Sequence, residues 1–166
     1  MTPRVVIAHD HLVQRGGAER VALAMHRAFP TAPIVTAFYE PDATYPEFAD
    51  LDIRTLAINR VRAFRRDHRR SFPILPAAWS ALHIEADVVL CSSAGWSHGL
   101  RTSGLKIVYC HSPARWLYPF AHVHDDIRPA VRFLAHRVAP AYRVWDRRAA
   151  ATASHYLANS AEVKRR

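Results

Sequence analysis

The sequence predicts an α/β fold, a Rossmann-like open parallel sheet with helices on both faces. Short apolar runs alternate with longer stretches of helical periodicity, which is the pattern of repeated βα units. A length of 166 residues suits one domain with a real core, but not two full domains enclosing a cleft. Half the residues are apolar, 22% are charged and only 5 are glycine, which excludes a disordered tail, a collagen-like chain and a disulfide scaffold.

The first apolar run, Arg4 to His9, is followed by the polar loop Asp10 to Arg15 and then by Gly16-Gly17. Ala18, Val21, Ala22, Met25 and Phe29 recur at three- and four-residue spacing, an amphipathic helix that Pro30 stops. Ile34 to Phe38, a weaker Leu51 to Leu56, Ala86 to Cys91 and Leu105 to Cys110 are short enough for buried parallel strands. Residues 60 to 83 read as helical, with Pro73 and Pro76 expected to break them into two pieces. A second helix runs from about Ile127 to Ala151; Val131, Leu134, Val138, Ala141 and Trp145 form its core stripe, and Pro140 is expected to bend it. His155 to Ala158 is a last strand, and Ser160 can cap the helix that begins after it.

The chain carries 23 basic against 14 acidic residues, a net charge of +9, and 21 of the 23 are arginine. Such an excess points to a partner that bears phosphate. The apolar run at the N-terminus ends at His9, too early for a signal-peptide core, and no run reaches the ~20 apolar residues of a membrane span. Cys91 and Cys110 lie in apolar runs without a CxxC spacing, as buried thiols of a reducing compartment do. The expected location is cytoplasmic, soluble or peripheral at the inner face of the plasma membrane.

A glycine pair between a strand and a helix lets backbone N–H groups and the positive end of the helix approach a phosphate. Gly16-Gly17 stands at such a junction, although neither a G-x-G-x-x-G nor a G-x-x-x-x-G-K-[ST] string is present. In open parallel sheets, ligands gather at the carboxyl ends of strands. Those ends carry His9-Asp10-His11, Ser92-Ser93-Ala94-Gly95-Trp96 and His111-Ser112-Pro113-Ala114-Arg115-Trp116. Each has a structural reading of its own, as a turn cap, a strand terminus or a core histidine. Polar and aromatic residues at every strand exit together favour a site.

Three strings, HDHLVQRGGAERV at 9 to 21, VYCHSPARWLY at 108 to 118 and YLANSAEVKRR at 156 to 166, resemble the N-terminal domain of family 4 glycosyltransferases with the GT-B architecture. The second string, with its His-x-Pro-x-Arg-Trp, resembles the mannosyltransferase-like subgroup that builds lipopolysaccharide and exopolysaccharide. The resemblance implies retaining transfer of a hexose, mannose by subgroup, from a nucleotide-diphosphate sugar to a glycolipid or polysaccharide acceptor, without a cofactor. It places Gly16 and Gly17 against the donor diphosphate and His111 beside the transferred sugar as the catalytic candidate. Asp10, His11, Arg115 and Trp116 then line the acceptor side. Family members also carry a second domain with a Glu-x7-Glu signature, and Glu40 and Glu47 are one residue too close to supply it. Residues 1–158 are therefore expected to be the acceptor-side domain and 159–166 the start of the interdomain segment. On this reading a separate C-terminal domain chain is a candidate partner, and the chain alone is inactive.

Two other readings compete. His122-Val123-His124-Asp125-Asp126 approaches the H-x-H-x-D-H ligand string of metallo-β-lactamase-like hydrolases, with His122, His124 and Asp126 as candidate ligands, but Ile127 stands where the last histidine is required. No metal is assigned. A pI near 10.4 raises nucleic acid, yet no RNP, KH or zinc-finger pattern occurs, so nucleic acid is not expected as a partner. Arg62, Arg65, Arg66, Arg69 and Arg70 instead alternate with Phe64, Phe72, Ile74 and Trp79, a mixture suited to an anionic membrane surface, away from the strand-end rim.

Overall fold

A computed structural model describes residues 2–114, 117–118 and 129–165, with 129–136 by backbone alone. Its strands are β1 (Val5–His9), β2 (Ile34–Thr36), β3 (Ile53–Thr55), β4 (His83–Ile84), β5 (Val88–Ser93), β6 (Arg101–Thr102), β7 (Leu105–Cys110) and β8 (His155–Ala158). Its α-helices are α1 (Gly17–Ala28), α2 (Arg62–Arg66), α3 (Leu75–Ala81), α4 (Pro129–Ala150) and α5 (Ala161–Arg165).

Six strands form one sheet in the order β3-β2-β1-β5-β7-β8, and every neighbouring pair is parallel. The fold is therefore the α/β, Rossmann-like open sheet that the alternating pattern predicts. From β1 the chain steps outward through β2 to β3, returns to the other flank of β1 as β5, and steps outward again through β7 to β8. That reversal falls between β1 and β5, and in open parallel sheets ligands gather beyond the carboxyl ends of strands at such a point.

Alternation along the strands splits the core between the two faces. Val6, Ala8, Val89, Cys91 and Val108 pack with Leu75 and Trp79 of α3 and with Trp96 and Leu100. Val5, Ile7 and Ile34 pack on the opposite face with Ala22 and Leu23 of α1 and with Phe48. Trp145 of α4 joins the first layer, as its position on the predicted stripe requires, and donates to Ser80 Oγ at 2.8 Å. Pro140 lies inside α4 without ending it.

Residues 60–83 depart from two helical pieces. They form two 3-10 turns, the five-residue α2, and α3, after which β4 pairs with β6 in a small second sheet that the sequence pattern does not reveal. Pro76 lies in the first turn of α3, where no N–H is needed from it. The buried stripe of α1 is also turned from expectation: Glu19, Ala22 and Leu23 are buried, while Phe29 is exposed.

Candidate functional site at the strand exits

The register places His9 of β1 beside Ser92 of β5, and Ser92 beside Tyr109 of β7. One residue beyond β7, the backbone N–H of His111 donates to the carbonyl of Ser93. The exits expected to share one rim are thus adjacent in space. Asn159 joins them by donating from Nδ2 to the His111 carbonyl at 2.9 Å, so the second and third motif strings meet there.

Asp10 is almost wholly buried. Its Oδ2 accepts from Ala94 N–H at 2.8 Å, and its Oδ1 accepts from Ser97 N–H at 2.7 Å and from Ser93 Oγ at 3.5 Å. The carboxylate ties the exit of β1 to the loop after β5. Ser93 Oγ is also 3.1 Å from His98 Nδ1 and accepts from Gly95 N–H. Gly95 adopts φ +138°, and a Cβ there would stand 2.8 Å from the Ala114 Cβ, so both conformation and space require glycine.

Behind this loop lies Lys106, buried in β7. Its ammonium donates to the carbonyls of His98 and Leu100, both at 2.8 Å, and burial lowers its pKa. The sequence signal was a lysine at an inward-facing position of an apolar strand. His98 Nε2 lies 3.2 Å from Asp146 Oδ1 without the alignment of a hydrogen bond, and Tyr118 donates to the other oxygen of Asp146. Beside these residues a cleft of about 450 Å³ opens between Gly95, Ser112, Tyr118, Asp146 and Lys164.

Burial lowers the pKa of three histidines at or beside the rim. Burial pushes His9 down to about 3, with the Asp10 carboxylate opposing, and burial lowers His111 against the same opposition. His68 is pushed down to about 4 by burial and then by His11 and Arg69. Its ring stacks on His11, with centroids 4.5 Å apart and 23° between planes. The basic segment therefore does not stand away from the rim; it packs onto it through His68. Burial raises Cys91 to about 12 and Cys110 to about 11, which removes both thiols from nucleophilic chemistry.

The two glycines of the first loop differ. Gly16 is the N-cap of α1 in an extended conformation, and a Cβ on it would stand 2.6 Å from Glu19 Oε2. The Glu19 carboxylate, buried and with no hydrogen-bond partner for Oε2, thus occupies the space at the helix start that Gly16 leaves. Gly17 faces open space, with nothing within 4 Å of its Cβ position.

Arg65 pairs with Glu40 and donates to the Asn59 carbonyl, and Arg70 pairs with Asp67. Arg62, Arg66 and Arg69 are exposed and carry no carboxylate partner among the described residues. Arg62, Arg65 and Arg66 border a groove of about 480 Å³ with Val13, Glu40 and Asp42. Arg115 and Trp116, and the candidate metal ligands His122, His124 and Asp126, lie outside the described residues. Among the described residues no group of three or more His, Cys, Asp or Glu could hold a metal, and no helix is long and apolar enough to cross a membrane.

Set against known proteins, the chain matches no family model, no curated protein and no solved structure.

Proposed function

We propose that the chain is the acceptor-side domain of a retaining GT-B glycosyltransferase that moves a hexose from a nucleotide-diphosphate sugar to a glycolipid or polysaccharide acceptor. One observation carries this reading: motif strings from three separate parts of the chain meet at the strand exits beside the reversal from β1 to β5. His9 and His11, His111 and Asn159 lie at one rim, and ligands of open parallel sheets bind at such a reversal.

In this reading His111 is the candidate beside the transferred sugar, and Gly17 is the backbone approach for the donor diphosphate. Gly16 serves that loop indirectly by making room for Glu19. His11 lies on the acceptor side, together with Arg115 and Trp116. Asp10 contributes by fixing the two loops rather than by offering a free oxygen, since each oxygen already accepts an N–H. Transfer relies on positioning and on stabilising the leaving diphosphate, which a donor-binding wall of the Glu-x7-Glu type supplies. Mannose is the sugar that the subgroup resemblance favours. Exposed Arg62, Arg66 and Arg69, with exposed Val61 and Ile74 nearby in the chain, suit docking on an anionic membrane that holds a lipid-linked acceptor.

Amide chemical shifts of the 15N-labelled chain, titrated with GDP-mannose and with a polyprenyl-pyrophosphate saccharide, test the proposal. Shifts clustered at residues 9–17, 92–98 and 111–114 are expected. Shifts confined to other surfaces, or none with either ligand, would overturn it. Residues 1–166 alone are expected to give no sugar transfer, and transfer by the purified chain would overturn the assignment of the donor site to a second domain.

A further inference from the structure

Three polar side chains form a continuous path across the strand exits. His9 Nδ1 lies 2.9 Å from Ser92 Oγ, and Ser92 Oγ lies 2.7 Å from His111 Nε2. Ser92 is fully buried, and its hydroxyl has no third partner among the described residues. A serine hydroxyl has one proton to give and lone pairs with which to accept. Withholding that proton from both rings would leave a buried donor unpaired, and withholding an N–H from both would leave one imidazole lone pair facing the oxygen. The arrangement that satisfies all three groups has one of the two facing nitrogens protonated and the other bare. His111 Nδ1 makes no hydrogen bond to the described residues and is not enclosed, so it is the nitrogen left to a ligand.

We propose that Ser92 and His9 are positioning residues that lock His111 in a single tautomer, so that its outward Nδ1 presents one fixed hydrogen-bonding character to a ligand hydroxyl. The inference rests on the glycosyltransferase reading only for the identity of that hydroxyl, a sugar one. His111 then acts by orienting the sugar through that nitrogen. His9 sets the choice from a second ring whose centroid is 6.5 Å away. A neutral histidine is ambiguous until its other nitrogen is engaged, and this path ties the tautomer of His111 to that of His9.

Long-range 1H–15N correlation spectra of the imidazoles at pH 7 read each tautomer without any ligand. In the unaltered chain, His9 and His111 should each show one tautomer, with only one of His9 Nδ1 and His111 Nε2 protonated. Both protonated, both bare, or a tautomer mixture at His111 would overturn the proposal. Ser92→Ala should shift His111 to a mixture and leave His26, whose Nδ1 is engaged with the Ala32 carbonyl, unchanged. In His9→Phe, Ser92 keeps only one acceptor, so His111 Nε2 should be bare; a protonated Nε2 there would also overturn it. If the tautomers obey but no sugar ligand moves the His111 signals, the path stands and the glycosyltransferase reading falls.

Discussion

The rim and the basic segment are both rich in polar residues, yet they use them in opposite ways. At the rim His9, Asp10, Ser92, Ser93 and His98 are buried and bonded mainly to one another. In residues 57–70 the arginines stay exposed or partly exposed, and such pairs as form lie at the surface. The strand exits make the difference. Parallel strands that end side by side force their next residues into a shared interior, where an unpaired polar group is costly. The basic segment meets the rest of the molecule through Phe64, His68 and Phe72 and leaves its guanidinium groups at the surface. Substitutions should therefore be felt strongly at the rim and weakly on the segment.

The largest effect is expected at Asp10. Asp10→Ala leaves the buried Ser97 N–H and the part-buried Ala94 N–H without acceptors and should destabilise the fold by about 4 kcal/mol, read from chemical denaturation. A loss under about 1 kcal/mol would mean that water replaces the carboxylate and that the two loops are not held by it.

Acid is the next lever. A histidine whose folded pKa is lowered binds its proton more readily when unfolded, so its stabilising effect is present above the ordinary value of 6.5 and lost as pH falls. His9, with a folded value near 3, should cost about 2 kcal/mol of stability between pH 7 and pH 5, and His68 and His111 act in the same direction. Thermal midpoints measured across that window should fall steadily. A flat profile would place these rings in contact with water.

Lys106→Met tests the support behind the rim. The substitution keeps the apolar stem but orphans the His98 and Leu100 carbonyls, for an expected loss of about 2 kcal/mol by denaturation. Gly16→Ala should cost about 1 kcal/mol, because the new methyl displaces the Glu19 carboxylate, whereas Gly17→Ala should be close to neutral for the fold. The same pair of variants separates stability from function, since a ligand that approaches the backbone at Gly17 would be weakened by the methyl that the fold tolerates.

The sheet was legible because Val5 to Ala8, Val88 to Cys91 and Leu105 to Cys110 are apolar runs with no competing period. The order of its strands was not, since no local signal says that β5 returns to the flank of β1. The rim could be named from the strand exits, but its internal wiring depends on register: Ser92 bridges two histidines only because β1, β5 and β7 align His9, Ser92 and Tyr109. His98 and Lys106 went unnamed in the sequence because neither belongs to a motif. The His11 and His68 contact escaped for a different reason, since it joins a strand exit to a segment whose sequence suits a membrane surface away from the rim.

The smallest effect on the fold is expected from Arg62, Arg66 and Arg69, and here the two regions separate most cleanly. Each guanidinium is exposed and lacks a carboxylate partner among the described residues, so Arg→Gln at any of the three should leave the denaturation midpoint unchanged. A cation near an anionic bilayer contributes about 1 kcal/mol, so each substitution should weaken sedimentation with phosphatidylserine vesicles roughly fivefold. Arg70, already held by Asp67, should matter less than any of them. Equal sedimentation of the unaltered chain with neutral and anionic vesicles would remove the membrane as the partner of this face. A weaker midpoint in Arg66→Gln would show instead that the segment is built into the fold as the rim is, and that its charge is not reserved for a partner.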